Sequence, residues 1–278
     1  MQQHPLVSIV TPSFNQGAFL EETILSVLGQ DYPNIEYIIM DGGSTDGSVD
    51  TIRKYAGRLA YWASERDEGQ TDALMKGFAK ATGKYLGWLC SDDVLEPSMV
   101  SISVDCHERF PEVGCTFGDR VRIDGKGNIY SLQRCPRFRP WFLRAGLGLP
   151  QETSLMKRDA FEKAGGLDSS LQMAMDYDLW CRISRAAAIR HIPAVLGRFR
   201  CHGLNKSSAF SKGAAANSDA GAGYFDEYTA VFQRHFGRPF SSRIKSAAKM
   251  LWIALAFVDR RSAEYRREAE RAARKRAE

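Results

Sequence analysis

Hydrophobic positions in the first 120 residues alternate between two spacings. Short apolar runs, at Val7 to Val10, Ile35 to Met40 and Tyr85 to Leu89, are typical of buried strands. Between the first two runs, apolar residues recur at helical spacing, at Phe19, Leu20, Thr23, Ile24, Val27 and Leu28. Strands that alternate with helices predict an α/β fold, with a mostly parallel sheet and helices on both faces.

The same patterns predict the remaining elements. Further helices are predicted at Val49 to Tyr55, at Thr71 to Ala81 and at Asp178 to Ala188. Another predicted helix follows the Tyr85 strand and ends at Phe110. Further strands are predicted at Leu59 to Ala63, Val113 to Phe117, Ile189 to Ile192 and Val195 to Arg200, with a hairpin formed by Val121 to Ile123 and Ile129 to Leu132. The segment 205–223 is rich in Gly, Ala, Ser and Asn, which predicts a mobile loop.

Length and charge divide the chain into two parts. Its 278 residues predict one α/β domain over 1–236, with halves 1–120 and 121–236, and a helical appendage over 237–278. Residues 238–278 hold 12 basic and 5 acidic side chains, whereas residues 1–237 hold 26 and 28. A slightly acidic domain argues against a nucleic-acid partner, and the basic tail favours an anionic one.

The ends of the chain and its cysteines predict a cytoplasmic protein. The N-terminus lacks a basic region followed by an apolar stretch, and the longest apolar run, Met250 to Val258, is too short to span a membrane. Six cysteines are scattered without any C-x-x-C pair, so we expect reduced thiols that mostly fill the core.

An apolar stripe in the tail has two interpretations. Its members are Ile244, Ala248, Leu251, Leu255 and Val258, with Arg243, Lys245 and Lys249 nearby. In the first interpretation, residues 243–258 form an amphipathic helix that lies on an anionic membrane, at the inner face of the cell membrane. In the second, the stripe packs on the α/β domain or on a second subunit.

Two adjacent carboxylates, in Ser91-Asp92-Asp93, follow the predicted strand Tyr85 to Leu89. Neighbouring carboxylates repel each other unless a hard cation such as Mg²⁺ or Mn²⁺, shared with substrate phosphates, takes their charge. The alternative is a surface turn in which Asp93 caps the next helix.

Polar residues also follow the other early strands, at Thr11-Pro12-Ser13-Phe14-Asn15, Asp41-Gly42-Gly43 and Ser64-Glu65-Arg66-Asp67. The carboxyl ends of parallel strands meet in one crevice, so these segments predict a polar site large enough for a nucleotide. Neither G-x-G-x-x-G after the first strand nor the P-loop motif occurs, which argues against NAD and P-loop nucleotide sites.

These segments, taken in order, resemble a known family. Thr11 to Asn15, Asp41 to Gly47, Asp67-Glu68-Gly69-Gln70 and Ser91-Asp92-Asp93 are similar to the N-terminal signature of family 2 glycosyltransferases. The resemblance continues through Gln151-Glu152-Thr153, Met175-Asp176-Tyr177-Asp178-Leu179-Trp180 and Arg200-Cys201-His202, and covers about residues 6–208. It implies a GT-A fold, a nucleotide-diphosphate sugar as donor, a divalent cation and inversion at the anomeric carbon.

The resemblance also implies roles for individual residues. Asp41 would contact the nucleobase, and the nucleoside pocket would be completed by Thr11, Pro12, Asn15 and either Asp67 or Gln70. Ser91 and Asp92 would contact the donor, with Asp92 at the ribose or the metal. Asp93 would bind the Mn²⁺ or Mg²⁺ that bridges the diphosphate. His202 would contact the metal or the diphosphate.

By the same resemblance, Asp176 would be the general base. The family commonly has Glu before this Asp, and Met175 replaces it here, so we expect Asp178 to supply some of that negative charge. Arg200 and Lys206 are expected to add positive charge near the phosphates. Gln151-Glu152-Thr153 is predicted to begin a buried strand beside the acceptor site, and Trp180 is predicted to lie in the core.

Together these observations predict an inverting transferase. It would move a sugar from a UDP-sugar to a hydroxyl of a surface glycan or of a lipid-linked saccharide. A sugar nucleotidyltransferase is an alternative, although residues 11–17 lack the Lys or Arg expected of its phosphate loop. A catalytically inactive nucleotide-sugar-binding scaffold is a second alternative, which Met175 keeps open.

Overall fold

The computed structural model describes residues 4–203, 205, 219–237, 247, 249–251, 254 and 255. The strands are β1 (Val7–Ser13), β2 (Ile35–Asp41), β3 (Tyr61–Ser64), β4 (Tyr85–Trp88), β5 (Val94–Leu95), β6 (Val113–Ile123), β7 (Ile129–Gln133), β8 (Leu155–Lys157) and β9 (Ala188–Arg200). The helices are α1 (Gly17–Leu28), α2 (Ser48–Tyr55), α3 (Gln70–Lys80), α4 (Met99–Arg109), α5 (Trp141–Arg144), α6 (Arg158–Lys163), α7 (Met175–Ala186) and α8 (Asp219–Phe236).

The strands form one sheet in the order β3-β2-β1-β4-β8-β6-β9-β5, and β7 pairs with β6. The first four strands of this order are parallel, so the loops after β1, β2, β3 and β4 lie at one edge. β8 runs antiparallel to β4 and β6, and β6 is parallel to β9. The α/β sheet and the β6–β7 hairpin predicted from the sequence are confirmed.

The core lies on both faces of the sheet because strand side chains alternate between the faces. In β2, Ile38 and Met40 pack in one cluster with residues of α3. Tyr37 and Ile39 pack in the other cluster with residues of α1, α2 and α4. Helices therefore cover both faces of the parallel strands and leave their carboxyl edge to the loops.

In two places, a pair of short strands predicted from the sequence forms one continuous strand in the structure. β6 covers the predicted segments on both sides of Gly118, and β9 continues through Pro193. The register of the β6–β9 ladder shifts at this point, from Gly118↔Ile192 to Asp119↔Val195. Proline has no N–H to donate to a ladder, and the bulge accommodates it without ending the strand.

Other predictions were wrong or lie outside the described residues. Gln151–Thr153 forms a 3₁₀ turn rather than the start of a strand, since the Ser154 N–H donates to the Gln151 carbonyl at 3.0 Å. Helix α8 occupies the end of the predicted loop 205–223, of which 206–218 lie outside the described residues. Most of the tail stripe also lies outside them. Among the described residues, no helix is long and apolar enough to cross a membrane.

Candidate active site

Asp92 and Asp93 lie in the turn after β4, and residues of β9 and α1 fix this turn. The Asp93 carboxylate is buried and accepts the backbone N–H of Arg200, from β9, at 2.9 Å. The Asp93 carbonyl accepts the hydroxyl of Thr23, from α1, at 2.7 Å. The adjacent carboxylates are therefore held rigidly at the carboxyl edge of the sheet.

The surroundings of Asp93 favour a cation. Burial raises the pKa of Asp93 well above its usual range, and the carboxylates of Asp92 and Glu152 raise it further, against the Arg200 N–H and the Arg120 guanidinium. Ligand atoms of Cys90, Asp92 and Asp93 lie within 4.8 Å of one another. Two carboxylates are the donors that Mn²⁺ and Mg²⁺ prefer, so this part of the site fits a divalent cation.

His202 lies behind Asp92. Its Nε2 is 3.0 Å from the Asp92 Oδ2, and its ring lies 4.5 Å from the Phe19 ring. His202 therefore contacts one of the two candidate cation ligands, and its direct ligation of a metal stays a prediction.

Arg200 does not have the role expected from the sequence. Its side chain is 2% exposed, and its guanidinium bonds the Glu22 carboxylate and, at 2.8 Å, the Asp92 carbonyl. The Arg200 side chain therefore holds the carboxylate turn, the turn after β4 that carries Asp92 and Asp93, and is not directed at a phosphate. Lys206 lies outside the described residues.

Asp41 organises the loop after β2. Its buried carboxylate accepts the N–H groups of Gly43 at 3.1 Å and Ser44 at 2.9 Å. It also accepts the hydroxyl of Ser64, at the end of β3, at 2.7 Å. Asp41 thereby joins two of the polar strand ends, and its predicted contact with a nucleobase remains a prediction.

Asn15 joins the loops after β1 and β2. Its Oδ1 accepts the Thr45 N–H at 2.9 Å, and its N–H donates to the Ser44 hydroxyl at 2.8 Å. Its φ of 50° lies in the left-handed region, which Asn adopts more readily than most residues.

Asp67 and Gln70 extend this rim toward the carboxylate turn. The Asp67 Oδ1 accepts the Gly69 N–H at 2.9 Å, and a Cβ on Gly42 would lie 2.7 Å from the Asp67 Oδ2. The Gln70 Nε2 donates to the Cys90 Sγ at 3.2 Å. The polar strand ends therefore form one continuous rim, as the strand order predicts.

The prediction that the Thr11 side chain helps to form the nucleoside pocket is wrong. Its side chain is buried, and its hydroxyl lies 3.0 Å from the Tyr37 hydroxyl in the core, so it is not available to a ligand. Pro12 is also buried within β1, and Ser91 is buried in the turn before Asp92.

Asp176 lies in the first turn of α7 and is partly buried. Burial raises the pKa of Asp176 to about 6, the Glu152 carboxylate contributes to the rise, and the Tyr177 N–H and the Arg120 guanidinium oppose it. A carboxylate with this pKa is ionised at neutral pH and still accepts a proton more readily than an exposed aspartate.

The expectation that Asp178 adds negative charge beside Asp176 is wrong. Asp178 is fully buried, with the Arg182 Nη2 at 2.6 Å and the His235 Nε2 at 2.8 Å. Two positions along a helix are separated by roughly 200° of rotation, so the two carboxylates point to different sides of α7. Asp178 joins α7 to α8 instead.

Glu152 and Arg120 form an ion pair that sequence reasoning missed. Glu152 is 1% exposed, and the Arg120 Nη1 lies 3.3 Å from both of its carboxylate oxygens. The pair acts electrostatically on both Asp93 and Asp176. The available signal was Arg120 itself, a charged residue within the long apolar strand β6.

Glu227, from α8, holds the start of α7. Its carboxylate accepts the N–H groups of Gln172 at 3.0 Å, Met173 at 2.7 Å and Ala174 at 3.2 Å. Helix N-termini leave such N–H groups without partners, and a carboxylate there also interacts favourably with the helix dipole. Glu227 therefore fixes the turn that carries Asp176.

The loop before α7 also touches the rim of polar strand ends. Gly69 has a φ of 114°, and a Cβ at this position would lie 2.5 Å from the Gln172 Oε1. The Thr71 hydroxyl donates to the Leu171 carbonyl at 2.5 Å. The start of α7 is therefore wedged between α8 and the rim that follows β3.

The family assignment follows from comparison with known proteins. Residues 8–165 match the model of glycosyl transferase family 2, more than half of the chain, and the chain belongs to this family of glycosyltransferases. Chondroitin synthase of Escherichia coli is 27% identical over 224 residues, which are 74% of this chain and 30% of that protein. The chain thus spans about a third of that relative's length.

Solved structures confirm the predicted GT-A fold. S. aureus TarS in complex with UDP-GlcNAc superposes with a TM-score of 0.63 at 13% identity, over 92% of this chain and 74% of that one. The mannosyltransferase PcManGT from Pyrobaculum calidifontis, in complex with GDP-Man and Mn²⁺, gives 0.60 at 20% identity, over 98% and 81%.

Proposed function

We propose that the protein is an inverting glycosyltransferase that uses a UDP-sugar and acts on a hydroxyl of a surface glycan or a lipid-linked saccharide. The observation that supports this most is the ion pair of Glu152 and Arg120, which couples electrostatically to the Asp93 turn on one side and to Asp176 on the other. The likeness to a UDP-GlcNAc complex favours UDP, and the likeness to a GDP-Man complex makes GDP the first competitor.

In the proposed reaction Asp176 removes the proton of the acceptor hydroxyl while its oxygen attacks the anomeric carbon. The new bond joins acceptor oxygen and anomeric carbon, and the bond to the diphosphate oxygen breaks on the opposite face, which inverts the configuration. Asp92 and Asp93 would hold Mn²⁺ or Mg²⁺, which supplies Lewis-acid stabilisation of the departing diphosphate when bound. Asp41, Asn15 and the rest of the rim would hold the nucleoside.

A thermal-shift panel of UDP-, GDP- and dTDP-sugars, with and without Mn²⁺, tests the donor. We expect a metal-dependent stabilisation of roughly 3 kcal/mol at a hundredfold excess over Kd for the true donor. NMR of the product with that donor and candidate glycan acceptors then gives the anomeric configuration. Retention would contradict the mechanism, and the absence of any metal-dependent stabilisation across the panel would contradict the donor class.

A further inference from the structure

A basic surface with exposed apolar residues borders the candidate active site. Residues 120–144 contain seven Lys or Arg and one acidic residue, whereas residues 1–237 as a whole are slightly acidic. We use the name hairpin surface for the exposed side chains Lys126, Ile129, Tyr130, Leu132, Arg134, Arg137 and Arg139.

The apolar part of the hairpin surface is concentrated in one strand. Ile129, Tyr130 and Leu132 of β7 are 59%, 56% and 48% exposed. Within the described sheet β7 has β6 as its one strand neighbour, so these residues lie on an edge strand. Large apolar side chains clustered on an edge strand mark a surface that is covered by something else.

The hairpin surface is continuous with the carboxylate turn. The Arg200 Nη1 donates to the Asp124 carbonyl, in the hairpin turn, at 3.4 Å. A Cβ on Gly125 would lie 3.8 Å from the His202 Cβ. The Cys201 thiol beside the Tyr130 hydroxyl raises the pKa of Tyr130. Whatever covers the hairpin surface therefore lies next to the catalytic edge of the sheet.

We propose that the hairpin surface docks on an anionic lipid bilayer. Guanidinium groups bind headgroup phosphates, and the apolar side chains of β7, the strand that directly precedes the arginines, enter the interface, so one partner accounts for both halves of the surface. A soluble anionic glycan would attract the arginines but would leave Ile129 and Leu132 in water. Docking in this way turns the catalytic edge toward the membrane. The inference depends neither on the donor nor on the tail.

Co-sedimentation of the full-length protein with vesicles tests the proposal. Vesicles of phosphatidylcholine and phosphatidylglycerol in equal parts are compared with phosphatidylcholine alone. The double variants are Ile129→Ser/Leu132→Ser and Arg137→Gln/Arg139→Gln. The controls are Leu25→Ser, at an equally exposed position on α1 (46%), and Arg53→Gln on α2.

We expect the arginine pair to weaken binding to the anionic vesicles about 30-fold at low salt, and the apolar pair to weaken it about tenfold. The controls should bind as the unmodified protein does. Unchanged binding of both double variants, with melting temperatures unchanged, overturns the proposal and assigns any binding to other residues. Loss in the arginine pair alone, with parallel loss of binding to dextran sulfate, also overturns it, because the surface then recognises soluble polyanions.

Discussion

Replacing Glu152 with Gln removes one buried negative charge and keeps the size of the side chain. The Glu152 carboxylate raises the pKa of Asp176, and the Arg120 guanidinium opposes it. In Glu152→Gln the negative charge that raises the pKa of Asp176 is gone. The Arg120 guanidinium, which lowers this pKa, also loses its counter-ion, so both changes lower the pKa of Asp176. A general base works only when ionised, so activity is lost as the pH falls through this pKa. We therefore expect the acidic limb of the kcat profile to move to lower pH.

The structure limits how far the acidic limb of the kcat profile can shift along the pH axis. The pKa of Asp176 is about 6, against an ordinary value of 3.8, a difference that corresponds to about 3 kcal/mol of proton affinity. Burial is the largest cause and is retained in the variant, so the limb should settle below about 6 and above 3.8. If the pKa of Asp176 falls by about one unit, the ionised fraction of Asp176 at about pH 5 rises from about a tenth to about a half.

The assay is single-turnover transfer at saturating donor across the acidic range. Arg120 loses its partner in this variant, and breaking a buried pair costs about 3–5 kcal/mol, so thermal melts must show that the protein is folded at each pH. The matched control is Glu152→Gln/Arg120→Met, in which both opposing charges are gone and the limb should return toward its original position. A folded single variant whose limb does not move would refute the coupling between Glu152 and the base.

Three further variants separate the other roles. Asp93→Asn should abolish both transfer and Mn²⁺-dependent nucleotide binding while the protein stays folded; calorimetric titration checks this, and full activity would exclude Asp93 as the metal ligand. Asp176→Asn should lower kcat by roughly 10²-fold or more with donor affinity nearly unchanged, and a parallel fall in donor binding would mean that Asp176 is not the base. Glu227→Gln should lower kcat about tenfold without changing donor affinity, because the turn that carries Asp176 loosens. Asp226 is exposed and adjacent to Glu227, so Asp226→Asn is the control for this variant. An equal loss of kcat in Asp226→Asn would contradict a specific role for Glu227.

The donor rim was predictable because it depends on short-range pattern. Parallel strands separated by helices must end at the same edge, so the sequence pattern alone groups Asp41, Asp67 and Asp93. Their hydrogen bonds could not be predicted, and Thr11 shows why. It follows the same strand pattern as Asn15, but its hydroxyl is used in the core by Tyr37.

The acceptor side was less predictable because it depends on long-range pairing. Glu152 meets Arg120 through the pairing of β6 with β8 and through a 3₁₀ turn, and neither has a periodic signature in the sequence. Asp178 looked like a neighbour of Asp176 because the two are close in sequence. One partner of Asp178 is Arg182, four residues later on the same side of α7, and the other is His235 of α8; the sequence contains no local trace of the contact with His235.

The bond network of Glu227 has a consequence for the order in which the enzyme matures on the ribosome. The carboxylate that caps α7 lies 53–55 positions after the amides that it binds. The bonds described above for the rim and the Asp93 turn reach no further along the chain than His202, whereas the turn that carries Asp176 is held by α8. On the proposed mechanism, a nascent chain would therefore gain the means to hold its donor before it gains a fixed base. On the proposed mechanism, the arrival of α8 would be the step that switches on transfer.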